Sequence, residues 1–198
     1  MIRTFINEIF RKLIHISSSV IPLTYFFLIK DKNVMATILI ILTLTSLLIE
    51  YVRLNRKGYV RILFEKYLKS VLRSKELKGH LTGATWMLIG FTSSVIIFDF
   101  EVAVLALLFL SVGDSVAALV GRALPIGRVW NKSILGSLSG ILFCVFFGLA
   151  INNTLSAQII IFGAISGMLI ELIPLKINDN FSIPIFSGFI MQTLKEIL

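Results

Sequence analysis

Asp114 stands near the end of an apolar run, 102–121, that is long enough to cross a bilayer. On insertion scales an aspartate at a helix centre costs roughly 2.5–3.5 kcal/mol, so carboxylates in such places are rare and usually functional. One and two turns further on, Ala117, Ala118 and Gly121 leave the same helical face almost bare, which would let a ligand approach the backbone. Ten residues beyond Gly121 comes Asn131-Lys132-Ser133, a cation and a hydroxyl entering the next apolar run. Acid, bare face and lysine are the parts of a metal–phosphate site at a membrane surface. Carboxylate oxygens suit a hard divalent cation, and a lysine suits phosphate as a flexible point charge.

These groups need a frame, and the composition says which kind. Of 198 residues, 57% are hydrophobic and only 15% charged. A soluble domain of this size would carry far more charge, so a single integral membrane domain over 1–198 is expected. The net charge of +8 does not point to nucleic acid, because the basic residues fall in loops on one side of the expected topology. Cys144, the one cysteine, excludes a disulfide within the chain and a thiolate metal cluster. It reads as a small apolar filler. Arg3, Arg11 and Lys12 precede the run 13–29 in the manner of a signal peptide, but Tyr25-Phe26-Phe27 replaces a small-residue cleavage pattern. A retained first span is expected.

Apolar segments of crossing length fall near 13–29, 34–51, 81–98, 102–121, 134–151, 157–175 and 183–197, which predicts an all-α polytopic bundle of about seven transmembrane helices. Counted by alternate loops, sixteen Lys and Arg lie on one side and three on the other. Positive-inside then puts the N-terminus and loops 52–80, 122–132 and 176–182 in the cytoplasm of a cell-membrane protein. Lys and Arg alone set this topology, yet it also gathers Glu50, Asp114, Glu171, Asp179, His15 and His80 towards the same face. A conduction path needs polar groups through the full depth, whereas an enzyme acting at one leaflet needs them at one depth. The distribution favours the enzyme.

Helix starts at that face point free N–H groups and positive partial charge toward it, a setting suited to phosphate. Thr82, Ser133 and Ser182 are the expected caps, with Pro184 in the first turn after Ser182. Between the second and third spans, Val60, Leu63, Phe64, Tyr67, Leu68 and Val71 recur at helical spacing. Lys57, Arg61, Glu65, Lys69 and Arg73 form a second stripe. This predicts an interfacial amphipathic helix near 56–73 whose basic groups meet anionic headgroups. No Walker A sequence and no Gly-x-Gly-x-x-Gly occurs, so any nucleotide must be held by other means.

The series Asp114-x-x-Ala117-x-x-x-Gly121 followed by Lys132-Ser133-x-x-Gly136-Ser137 resembles the CTP-dependent lipid-alcohol kinases, which include dolichol, diacylglycerol, phytol and farnesol kinases. Arg11-Lys12-x-x-His15, Glu50-x-x-Arg53, Glu171-x-x-Pro174 and Asp179-Asn180-x-x-Ile183-Pro184 fit in order, so the resemblance spans nearly the whole chain. Three features depart from the family pattern. Asn131-Lys132 stands in place of a lysine pair, Leu135 in place of an acid, and the turn Ala123–Gly127 is spaced differently.

The resemblance implies transfer of the γ-phosphate of CTP to the hydroxyl of a membrane lipid, with Mg²⁺ or another divalent cation. On that reading Asp114, Glu171 and Asp179 hold the metal. Ala117, Gly121, Arg122, Lys132, Ser133 and Gly136 contact the nucleotide alongside Asp114, with Arg128 as a further phosphate candidate. His15 and Glu50 are the candidates for general base. Ordinary readings stand beside these: a helix–helix hydrogen bond for Asp114, a snorkelling Lys132, an interfacial Glu171, and close packing at Gly136-x-x-x-Gly140 and Gly163-x-x-x-Gly167. Phosphatidate cytidylyltransferases carry a related aspartate and Lys-Ser/Thr pattern and form the alternative enzyme class. A small transporter or structural membrane subunit is the non-enzymatic one.

Overall fold

The computed structural model describes residues 2–54, 62, 67, 72–130, 132–152 and 154–198, and the side chains of these except at 2–7 and 74. The interfacial helix expected near 56–73 lies, but for a few positions, outside the described residues.

The chain starts with α1 (Ile2–Ser17), α2 (Val20–Thr24) and a π-helical turn, Tyr25–Ile29, that ends where Lys30 takes a positive φ of 54°. The Asp31 side chain accepts from the backbone N–H groups of Asn33 and Val34 at 2.8 and 3.0 Å and so opens α3 (Lys32–Leu54). After the short α4 (Ser74–Leu77), Thr82 caps α5 (Gly83–Ile97) by accepting from the Thr85 N–H. The next segment runs continuously as α6 (Phe100–Leu108), a π-helical stretch Phe109–Asp114, and α7 (Ser115–Ala123). A two-stranded ribbon follows, β1 (Arg128–Val129) antiparallel to β2 (Lys132–Ser133), turning at Trp130 with φ 54°. Ser133 then caps α8 (Ile134–Ile151), before α9 (Ala157–Leu172) and α10 (Asp179–Ile197).

Residues 100–123 form the hub. Its most apolar window is 78% buried, against 22% for α3 and 28% for α8, so this segment is enclosed by helices while those two face outward. Its apolar residues run all around the helix, Val102 to Leu110 being buried without interruption, as a fully enclosed helix requires. Leu44, Leu48, Leu142 and Phe146 project outward from α3 and α8, where hydrocarbon rather than protein would cover them. α9 packs along α8 and α10, and α10 returns to α5 and α6, closing the bundle.

Among the described residues, four helical segments are long and apolar enough to cross a membrane: Glu8–Ile29, Lys32–Leu54, Phe100–Ala123 and Ile134–Ile151. α5 and α9 are apolar but have 15 and 16 residues, and at 1.5 Å per residue neither exceeds about 24 Å. α10 reaches 19 residues only by including the polar Asp179 and Asn180. Where about seven spans are expected, the last of them short, the described residues hold four full-length helices and three that are shorter or more polar.

The start of α10 also differs from expectation. Asn178, not Ser182, caps it by accepting from the Asn180 N–H, which leaves Ser182 buried inside the helix and Pro184 beyond the first turn. The stretch Asn178–Asn180 offers several residues able to cap, and the helix takes the earliest, gaining a turn that packs on α5.

Candidate active site

α1 carries Glu8, Arg11, Lys12 and His15 at i, i+3, i+4 and i+7, which sets all four on one helical face. That face meets the Asp114 end of the central segment. The π-helical turn before Asp114 adds one residue to its turn and so resets which way the following side chains face, a feature frequent at functional sites. Lys12 Nζ donates to Asp114 Oδ2, and both residues are buried. In such surroundings each charge is tolerable only because the other is present. Arg11 donates to Glu8, which also takes Arg122 at 2.9 Å and so ties α1 to the end of α7.

Lys132 forms the second charged centre. Its Nζ donates to Glu171 at the end of α9 at 2.7 Å, and to Asp179 in the first turn of α10 at 3.0 Å. Burial alone would lower the lysine's pKa, but Glu171 and then Asp179 outweigh it and hold the ammonium above its ordinary value. Ser133 donates to the Ile126 carbonyl at 2.9 Å, which draws the 122–133 loop against the start of α8.

The two charged centres line one cavity of about 600 Å³. Arg11, Lys12, Arg73, Arg122, Arg128 and Lys132 supply cations to its wall, and Glu8, Asp114, Glu171 and Asp179 supply the acids. Ala117 and Gly121 line it, but Gly136 does not. A Cβ on Gly136 would strike the Ala117 carbonyl and lie 2.9 Å from the Gly121 Cα. The bare face of α7 is therefore used in part to seat α8, and the expected nucleotide contact at Gly136 becomes a helix-packing position. Gly163 and Gly167 likewise let Met191 and Ser187 of α10 approach α9.

A second, mainly apolar cavity of about 330 Å³ opens between α1, α3 and α5, with Ile14, Ile49 and Met87 among its walls. Arg11, Lys12, Arg73 and Asp114 line both cavities, so the buried Lys12–Asp114 pair marks their junction. Glu50 lines the smaller one but has no free capacity. It accepts from Arg53 at 2.6 Å, from the Thr82 N–H at 2.8 Å and from Thr85 Oγ1 at 3.1 Å. Arg53 continues to the carbonyls of Glu76 and His80. The geometry corrects the expectation of a general base here: Glu50 braces α3 against the start of α5. His15 is different, with Nδ1 buried and unpartnered.

Among the described residues no group of three or more His, Cys, Asp or Glu is arranged as a ligand set for a metal ion. Asp114, Glu171 and Asp179, expected as one centre, are each paired with a lysine instead. Glu171 Oε2 nevertheless remains buried without a partner. Glu8 and Asn180 draw no role from the sequence. Lys12 counted there chiefly toward the N-terminal positive charge.

Fold and site define a helical membrane protein whose charged groups gather around two adjoining cavities. The chain belongs to the same family as an uncharacterized protein of Rickettsia prowazekii (strain Madrid E), to which it is 31% identical over 184 residues covering 88% of each chain. It is also similar to CTP-dependent diacylglycerol kinase 1 of Saccharomyces cerevisiae (strain ATCC 204508 / S288c), at 28% identity over 216 residues, 95% of this chain and 73% of the yeast protein. No protein-family model matches the chain, and no solved structure matches it.

Proposed function

We propose that this protein is a CTP-dependent lipid-alcohol kinase of the cytoplasmic membrane, working at the cytoplasmic face. The observation that carries the reading is the shared wall: a cation-rich cavity large enough for a nucleotide triphosphate tail meets an apolar cavity at Lys12 and Asp114. The similarity to a CTP-dependent diacylglycerol kinase supports the donor and the acceptor class. In this reading CTP enters the larger cavity from the cytosol, with Lys132, Lys12 and the surrounding arginines on its phosphates. The lipid enters the smaller one sideways from the bilayer, its hydroxyl at the junction.

Phosphoryl transfer depends mainly on positioning and charge neutralisation. The alcohol oxygen bonds to the γ-phosphorus as the bond to the β–γ bridging oxygen breaks, and CDP leaves with that electron pair. The hydroxyl proton passes to a base, for which His15 is the available side chain. Magnesium typically uses one or two carboxylates with substrate phosphates and water. The free Glu171 Oε2 and the carboxylates of Asp179 and Asp114 fit such a nucleotide-borne ion better than a fixed protein cage. When bound, the metal would supply neutralisation of charge on the β- and γ-phosphates.

The test is an incubation of the purified protein in lipid nanodiscs with CTP labelled at either the α- or the γ-phosphate. Polyprenol, farnesol, diacylglycerol and phosphatidate are offered separately. Label from the γ position in an extracted alcohol is the expected result. Label from the α position in lipid with phosphatidate would instead assign cytidylyl transfer, and no label in any lipid would refute both.

A further inference from the structure

Among the described residues lining the smaller cavity, His15 Nδ1 is the one buried side-chain atom without a hydrogen-bond partner. Its other ring nitrogen, Nε2, lies 3.3 Å from Asn180 Oδ1. The amide of Asn180 is fixed in that orientation because its Nδ2 donates to the Gly83 carbonyl at 2.7 Å. Turned over, it would set two carbonyl oxygens against each other at that separation. Oδ1 can only accept, so Nε2 carries the hydrogen that it receives. In the neutral ring the lone pair is then on Nδ1. Asp114 Oδ2, at 3.7 Å, is too distant to be its hydrogen-bond partner and could not donate as a carboxylate.

The backbone is arranged to hold this contact. Gly83 is the first residue of α5, and a Cβ there would come within 3.2 Å of Asn180 Nδ2. Asn180 sits in the first turn of α10, its own N–H held by the Asn178 side chain. α1, α5 and α10 therefore meet through one amide.

Resting on the kinase reading, we infer that Asn180 is a positioning residue that holds His15 in the Nε2–H tautomer, and that Nδ1 accepts a hydrogen bond from the hydroxyl of a neutral lipid alcohol. The same pair then sets specificity. At that point an acceptor nitrogen favours a group that brings a hydrogen over one that brings only lone pairs. An alcohol bound this way directs its oxygen lone pairs away from His15, toward the cavity where phosphate would lie.

The chain has two histidines, so His80→Gln leaves a single ring, which ¹⁵N NMR of histidine-labelled protein in micelles reads directly. The expected spectrum has a protonated Nε2 and an unprotonated Nδ1, with Nδ1 shifting when dioctanoylglycerol or farnesol is added. Asn180→Leu should mix the tautomers, whereas Asn180→Asp should retain Nε2–H because it still offers an acceptor, although it gives up the donation to the Gly83 carbonyl and so holds the ring less firmly. Kinetically, the leucine variant should lose roughly tenfold in kcat/KM for the lipid with an unchanged KM for CTP, the worth of one hydrogen bond. The aspartate variant should recover part of that loss, since it keeps the contact to Nε2 and loses the one to Gly83. A protonated Nδ1 in the parent protein, or a leucine variant with an unchanged ring spectrum, overturns the inference. Absence of kinase activity in the parent would refute the enzymatic reading alone, since the ring's state is measured without turnover.

Discussion

Lys12 and Asp114 are each buried with a single strong partner, so neither can be altered without stranding the other. Asp114→Asn should lower kcat by at least about a hundredfold, on the scale of losing one pre-organised charged group in a site. It should still insert into membranes, because an amide costs less than a carboxylate in hydrocarbon. A γ-phosphate transfer assay on membranes with matched protein levels checks this, and parental rates would remove Asp114 from the chemistry. Lys132→Ala should act chiefly on CTP, raising its KM about tenfold to a hundredfold as a charge-assisted contact is lost. The raised pKa of Lys132 fixes the sign of its pH dependence. Its pairing with Glu171 and Asp179 is fully present below the unfolded lysine value and is lost only as pH rises through the higher folded one. CTP affinity should therefore stay flat from neutral into mildly alkaline pH, as a binding titration would read. Asp114, Lys132, Glu171 and Asp179 were legible in the sequence because isolated charges beside apolar runs need a reason. Lys12 was not, since a lysine ahead of a first span already has one in topology. Asn180 was hidden because an amide near a helix start reads as a cap.

Helices meet closely around the site where side chains are absent. Adding a methyl at Gly136 drives it into the backbone of Ala117 and Gly121, so Gly136→Ala should separate α7 from α8 at a cost of about 1–3 kcal/mol. Thermal unfolding in detergent should show a lowered midpoint. An unchanged midpoint with a selective rise in the KM for CTP would restore the nucleotide role that the geometry removes from this glycine. Glu50→Gln tests the brace between α3 and α5 in the same way: it should lower stability by several kcal/mol, since Arg53 would lose its buried counter-charge. The caps at Thr82 and Ser133 could be read from sequence because each precedes an apolar run directly. The start of α10 could not, because Asn178, Asp179 and Ser182 are all competent and packing against α5 decides among them.

At the scale of the whole molecule, the polar groups divide between two ends. Lys12, Asp114, Lys132 and Glu171 gather around the cavities, while Asp99, Glu101, Gln192 and Lys195 form a separate clasp joining the α5–α6 turn to the end of α10. Hydrogen bonds from Lys195 and then Gln192, aided by nearby cations against a small burial penalty, hold the Asp99 carboxyl below its ordinary range. Its contribution is present above the unfolded value and lost as pH falls through the depressed folded one. The pair is exposed, so Lys195→Ala should loosen the end of α10 in hydrogen exchange without altering the proposed phosphoryl transfer. The apolar runs made the helical membrane class legible, but their lengths did not distinguish full spans from α5, α9 and α10.

On the proposed reading, donor and acceptor reach the Lys12–Asp114 pair from opposite cavities. A structure of the protein with the non-transferable β,γ-imido analogue of CTP and dioctanoylglycerol tests it most directly. The terminal phosphate should lie between Lys132 and Lys12, with the lipid hydroxyl entering from the side of Ile49 and Met87 to meet it. A triphosphate bound away from Lys132, or an acyl chain seated elsewhere on the bundle, would contradict it.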